Sequence, residues 1–344
     1  MQEDERGTLL SVLEGRSANP PPIWLMRQAG RYLPEYRAMR EKAGSFWAMC
    51  MNPQSAAEVT RQPIRRFGFD AAILFSDILV VPYTLGCDVA FEDGPTLTPV
   101  SAAARLNRDP ERWEGQLAPV YDTLRLVRSS LPKGVFLLGF AGAAWTLATY
   151  MAEGKGSTDQ RAAKLWAYRD PEGFQDLLDI LGDCVAFHLV AQLEAGADAV
   201  QLFDSWAGGL PAKQFADWVI APTKRIVDKV RAVHPGAKII GFPRAATLEG
   251  YRRYAVETGV DALSLDTAVP MEWAARELPR NVVLQGNLDP LALLAGGQAL
   301  ADATDTILAA MHGRPFIFNL GHGVLPETSP EHVAELVARV RQTR

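Results

Sequence analysis

Four arginines, Arg27, Arg31, Arg37 and Arg40, follow the apolar run Ile23-Trp24-Leu25-Met26. They sit in and just after the loop Arg27-Gln28-Ala29-Gly30-Arg31-Tyr32-Leu33-Pro34-Glu35-Tyr36-Arg37. Guanidinium is a planar donor fork that matches carboxylate or phosphate and keeps its charge at every physiological pH. The chain as a whole is acidic, with 35 Lys+Arg against 40 Asp+Glu and a formal net charge of −5. Arginines gathered against that background predict a polyanionic ligand. The acidic balance argues against nucleic acid as the main partner, and the Gly- and Pro-broken loop is no recognition helix. Asp77, at the end of another apolar run, adds a carboxylate that is poorly solvated there and tends toward its protonated form.

Something must hold these residues together. Eight short apolar segments, 23–26, 71–75, 135–140, 199–203, 238–242, 262–265, 282–285 and 316–319, read as strands. Most are continuous apolar runs, the pattern of parallel strands covered on both faces. Helical periodicity fills 171–196, 211–233, 248–258, 291–311 and 330–340, with Gly196 and Gly259 placed as C-terminal caps and Pro330 in a first turn. Strand–helix alternation repeated eight times predicts an α/β fold, a single (β/α)8 TIM barrel over 1–344. A doubly wound sheet is the competing architecture, but Arg27-Gln28-Ala29-Gly30-Arg31 is not its glycine fingerprint. Residues 86–99, with Val89-Ala90-Phe91 before Asp93-Gly94-Pro95, predict a hairpin excursion over the barrel mouth.

The chain has 344 residues and is 48% hydrophobic, enough for a sizeable core. No apolar run approaches the roughly 20 residues that span a bilayer. The charged N-terminus lacks an apolar signal core, and the three cysteines, Cys50, Cys87 and Cys184, lie far apart. Both features predict a cytoplasmic protein with free thiols and no membrane partner.

Barrel chemistry sits at the C-terminal ends of the strands. Those ends carry Arg27 and Arg31, Ser76-Asp77, the run Gly139 to Tyr150, Phe203-Asp204-Ser205, Pro243-Arg244, Asp266, Gly286-Asn287 and Gly321-His322-Gly323. Pro22 through Arg37 resembles the N-terminal signature of the uroporphyrinogen decarboxylase family. Phe75-Ser76-Asp77-Ile78-Leu79-Val80-Val81-Pro82 is similar to its second block. Gly139-Phe140-Ala141-Gly142-Ala143-Ala144-Trp145-Thr146-Leu147, continuing through Tyr150-Met151-Ala152-Glu153-Gly154, resembles its other signature. Gln201-Leu202-Phe203-Asp204-Ser205-Trp206-Ala207-Gly208 and Phe318-Asn319-Leu320-Gly321-His322-Gly323 follow the pattern as well. Ala144 departs from it, where the family commonly has proline, but no functional group is lost.

The resemblance implies a cytoplasmic homodimer of TIM barrels that uses neither metal nor organic cofactor. The implied reaction belongs to porphyrin and heme biosynthesis. It turns the four acetates of uroporphyrinogen III into methyls, giving coproporphyrinogen III and four CO2. The polyanion then becomes a cyclic tetrapyrrole with eight carboxylates. The implied site comprises Arg27, Gln28, Ala29, Gly30, Arg31, Arg40, Asp77, Tyr150, Phe203, Ser205 and His322, with Asp77 and Arg27 catalytic. Asp77 accepts the pyrrole N–H groups and stabilises the cation formed when a pyrrole is protonated at carbon. Arg27 is the implied proton donor.

Each residue also has an ordinary use. Asp77 could cap a turn, Tyr150 could pack, and Ser205 could cap a helix. Arg37 could pair with Glu35 or Glu41. His322, between two glycines in a mobile-looking turn, is the obvious group to titrate near neutrality. Asp266, Arg244 and Asn287 share the mouth by topology alone and are expected to be structural. Trp24, Trp145 and Trp206 are expected either at the mouth or in the core. A zinc-dependent cobamide methyltransferase of the same superfold would need an H-x-C element, yet none of His188, His234, His312, His322 or His332 is followed at that spacing by cysteine. A non-catalytic tetrapyrrole-binding protein would not need the acid at 77.

Overall fold

The computed structural model describes residues 7–91 and 94–342; the charged residues 1–6, and Glu92 and Asp93 of the expected hairpin, lie outside them. Among the described residues there are nine strands: β1 Ala71–Ile73, β2 Val89–Ala90, β3 Thr96–Leu97, β4 Phe136–Gly142, β5 Ala199–Asp204, β6 Ile239–Pro243, β7 Ala262–Ser264, β8 Val283–Leu288 and β9 Phe316–Leu320. Seven form one sheet in the order β1-β4-β5-β6-β7-β8-β9, each adjacent pair parallel. Strands β2 and β3 make the separate antiparallel hairpin. It is tied to the helix after β4, with Leu97 N donating to Gly154 O at 2.8 Å.

The expected first strand, 23–26, is not a strand. Only Ile23 forms a bridge, to Phe318 of β9. The segment nevertheless fills the gap between β9 and β1. Phe318 N donates to Pro22 O (2.9 Å), Trp24 N to Phe318 O (3.3 Å) and Asp70 N to Ile23 O (3.0 Å). Its remaining N–H groups are met by side chains. Ile23 N donates to Asp70 Oδ2 (2.8 Å), Leu25 N to Gln28 Oε1 (3.1 Å) and Met26 N to Asn319 Oδ1 (2.9 Å). Side-chain acceptors replace a ladder, so the position is strand-like in place but irregular in backbone.

Inside the ring, Trp24, Met26, Ala71, Phe136, Leu138, Ala199, Ile240, Phe242, Ala262, Val283 and Ile317 form one buried cluster. The helix Gly7–Leu13 adds Leu9, Val12 and Leu13 to it, closing the end away from the mouth. A buried polar layer crosses the interior. Trp24 Nε1 donates to Gln285 Oε1 (3.0 Å), and Gln285 Nε2 donates to Gln201 Oε1 and Ser264 Oγ (both 3.1 Å). A larger cluster packs the outer strand faces against the surrounding helices.

The long helices mostly fall where periodicity placed them. Pro171–Glu194 is capped by Asp170, and Leu248–Glu257 by Thr247. Pro330–Gln342 completes the shell. Two differ. The segment 211–233 holds Ala212–Phe215, a π-helical turn at Ala216–Ile220 and Ala221–Val233. The segment 291–311 splits into Pro290–Ala295 and Gly297–Ala310, because Gly296 (φ +69°) and Gly297 (φ +55°) leave the right-handed helical region.

Candidate active site

Arg27 projects from a turn closed by Gln28 N donating to Leu25 O (3.0 Å). Its φ is +59°, a left-handed conformation uncommon outside glycine. Gln28 supports the turn from beneath. Its buried amide accepts from Leu25 N and donates to Ala71 O (3.0 Å), while its carbonyl accepts from Tyr32 Oη (2.7 Å). The Gln28 side chain is therefore spent on the loop, which leaves its backbone to face the mouth. Ala29 and Gly30 are half-exposed beside it. Arg37 does not pair with Glu35 or Glu41. Its Nη1 donates to the carbonyls of Arg31 (2.8 Å) and Tyr32 (3.2 Å), and Glu35 is held by Arg66. Arg27, Arg31 and Arg40 form no ion pair among the described residues, and Arg40 Nη1 is buried without a hydrogen-bond partner. Three unneutralised guanidiniums thus remain on one side.

Asp77 follows β1. One carboxylate oxygen accepts from Leu79 N (2.8 Å), so it does cap the turn. The residue is partly open to the mouth yet enclosed by protein, and that enclosure pushes its carboxyl up to about 6 against the opposing pull of the Leu79 N–H and of nearby Arg27. Tyr150, on the helix Ala144–Glu153, feels the charges of both Asp77 and Arg27, and burial raises its phenol. Its ring meets Trp206 edge-on at 6.2 Å. Trp24 and Trp145 are fully buried, so of the three tryptophans only Trp206 stands beside these residues.

The floor is aromatic. The half-buried Phe203 ring makes edge contacts with Phe140 (5.6 Å) and Phe242 (6.1 Å). Ser205 caps no helix; it lies in the turn after β5, and the next helix begins at Ala212 behind Pro211. Beneath that turn lies a residue pair to which the sequence assigned no role. Thr146 Oγ1 donates to Asp204 Oδ1 and accepts from Trp206 N (3.0 Å), joining the loop after β5 to the helix carrying Tyr150. Burial pushes Asp204 up to about 7, eased only by Thr146, and its Oδ2 has no hydrogen-bond partner among the described residues. Its place at a strand end is legible in the sequence, but its pairing is not, because its partner lies 58 residues away.

His322 sits between glycines that close packing requires. A Cβ on Gly321 would lie 2.7 Å from Thr267 Cα, and one on Gly323 would lie 2.7 Å from Arg27 Cγ. The turn is packed, not loose, and the stem of Arg27 lies directly on Gly323. Burial, with Arg27 and Arg244 nearby, pushes the imidazole down to about 3. His322 is therefore neutral at physiological pH and does not titrate near neutrality.

Asp266 and Asn287 are structural, as expected. Asp266 accepts from Ala245 N, Tyr251 Oη (2.9 Å) and Ala268 N (2.8 Å), and Asn287 Nδ2 donates to Asp266 O (2.8 Å) and Val269 O (2.7 Å). Among the described residues, no three His, Cys, Asp or Glu side chains gather as a metal-binding group.

The family model described as Uroporphyrinogen decarboxylase (URO-D) matches residues 4–343. The chain belongs to the uroporphyrinogen decarboxylase family. It is 53% identical over 341 residues to uroporphyrinogen decarboxylase from Rhizorhabdus wittichii, with 98% of both chains covered. It is 54% identical over 335 residues to that of Brucella anthropi, covering 97% of this chain and 98% of the other. Among solved structures, a methyltransferase from Methanosarcina mazei superposes with a TM-score of 0.81 at 18% identity, covering 96% of each chain. That likeness shows the barrel fold alone. Membership of the decarboxylase family spans the loop of Arg27, the turn of Asp77 and the turn of His322 in one match.

Proposed function

We propose that this chain decarboxylates the four acetates of uroporphyrinogen III to methyls, giving coproporphyrinogen III in porphyrin and heme biosynthesis. The reading is carried by one observation in particular: a lone, partly enclosed carboxylate, Asp77, stands within the field of Arg27 at the mouth of a barrel whose full-length relatives bear that name. Losing CO2 from an acetate leaves an electron pair that needs a sink. Protonating the electron-rich pyrrole at carbon makes a cation; the C–COO bond then breaks, and its electron pair neutralises that cation. Protonation of the resulting methylene, with return of the ring proton, leaves a methyl. Each turnover consumes one proton and releases one CO2.

Asp77, ionised, accepts the pyrrole N–H groups and stabilises the cationic ring, which is electrostatic preorganisation. Arg27 holds the reacting carboxylate and is the proposed proton donor. Arg31 and Arg40 take other carboxylates. Tyr150, Ser205 and a neutral His322 supply hydrogen bonds, and Phe203 lies under the macrocycle. The backbone of Gln28, Ala29 and Gly30 borders the same ligand. The protein works in the cytoplasm as a homodimer, so light scattering should give about twice 37.6 kDa.

Anaerobic incubation with uroporphyrinogen, followed by oxidation and chromatography, should yield the four-carboxylate porphyrin with no added metal or cofactor. The Asp77→Asn variant should stay folded and lose turnover by roughly a thousandfold. Unchanged substrate with the native chain overturns the reaction, and near-native CO2 release from Asp77→Asn overturns the role of Asp77.

A further inference from the structure

The guanidiniums assigned so far all sit on one side. In ring order the segment 23–26 is followed by β1, β4, β5, β6, β7, β8 and β9, so β6 stands across the barrel from the segment that carries Arg27. A macrocycle with carboxylates around its whole rim needs positive charge on the far side too. Within the two residues that follow each of β4 to β9, Arg244 is the only lysine or arginine. Resting on the decarboxylase reading above, we propose that Arg244, with the hydroxyl of Ser205, binds a substrate carboxylate on the β5–β6 side of the mouth, opposite Arg27.

The Arg244 backbone is fixed, its N–H shared between Asp204 O (3.1 Å) and Phe242 O (3.0 Å). The next residue, Ala245, takes φ +61° and is anchored by Asp266. The guanidinium itself is almost free. It forms no ion pair among the described residues, and its hydrogen bond to Ser205 O is long, at 3.5 Å. The nearby carboxylate, Asp266, already accepts from Ala245 N, Tyr251 Oη and Ala268 N. Gly208 lets the two turns approach, since a Cβ there would lie 2.6 Å from Ala245 Cβ. Ser205 Oγ, in the turn that this brings close, has no hydrogen-bond partner among the described residues. A half-buried guanidinium beside a spare hydroxyl, with its neighbouring acid committed elsewhere, is a carboxylate site.

The test compares native protein, R244Q and R244K in uroporphyrinogen turnover and in uroporphyrin binding by tryptophan fluorescence. Losing one charge-assisted contact should raise KM and the uroporphyrin Kd about 10-fold or more in R244Q. The value of kcat should change less than about threefold, and the salt dependence of binding should become shallower. The melting temperature should hold, and R244K should recover most of the affinity. Native binding that R244Q matches within twofold overturns the Arg244 assignment alone. So does a fall in kcat and melting temperature together at unchanged KM. A native chain that neither turns over uroporphyrinogen nor binds uroporphyrin overturns the decarboxylase reading along with it.

Discussion

Asp77 and His322 illustrate how little residue type alone says about charge. Enclosure raises the carboxyl to about 6, whereas enclosure and two arginines lower the imidazole to about 3. A raised carboxyl takes its proton at higher pH. Thus kcat/KM should fall as pH drops through about 6, where Asp77 loses the charge it needs. The same acid limb should persist in His322→Asn, and a pH–rate profile in which that variant abolishes the limb would contradict the assignment. Gly323 shows a second residue-scale constraint. Its missing Cβ makes room for the Arg27 stem, so Gly323→Ala should cut kcat/KM about tenfold or more through a displaced guanidinium. Urea midpoints should move much less. These residues were legible in the sequence as types and positions. Their protonation was not, because it depends on neighbours brought in from other strands.

At the scale of elements, β4 exposes a gap that a helix fills. The short β1 pairs with β4 only as far as Leu138. Beyond it, Phe140 N donates to Gln192 Oε1 (2.9 Å) and Gln192 Nε2 donates to Phe140 O (2.8 Å). Gln192 comes from Pro171–Glu194, and Gly139 is bare because a Cβ there would meet its amide. Replacing Gln192 by leucine should orphan two backbone groups and cost roughly 2–4 kcal/mol in urea unfolding. A loss below about 0.5 kcal/mol would mean that water satisfies the strand as well as the glutamine does. The same logic explains the first segment of the ring. Apolar character marked 23–26 as buried, but side-chain acceptors from Asp70, Gln28 and Asn319 made a ladder unnecessary.

For the molecule as a whole, the acids buried around the mouth should shape stability against pH. Asp204 carries a folded-state value of about 7 against an ordinary 3.8. Between those values the unfolded chain ionises while the fold retains the proton. Its contribution is therefore full below about 3.8 and lost as pH rises to about 7. Glu35 and Asp305, held down by Arg66 and Arg339, act in the opposite sense at lower pH. Urea midpoints measured from pH 4 to 7 should decline, and Asp204→Asn should flatten that decline. An unchanged slope would show that the acid is solvated in the native state.

The sequence by itself determined the barrel, most of its helices and the family, because parallel strands buried on both faces leave continuous apolar runs and the loop of Arg27 is long and specific. It also named Asp77, Arg27, Tyr150, Ser205 and His322, since strand ends in a barrel converge by topology. Only the tertiary structure decided which polar side chains remain free. Gln28, Arg37 and Asn287 are consumed by backbone groups, and Asp266 by two backbone N–H groups and the Tyr251 hydroxyl, whereas Arg40 and Arg244 form no ion pair among the described residues. That distinction rests on hydrogen-bond partners distant in sequence, and no local pattern of residue types encodes them.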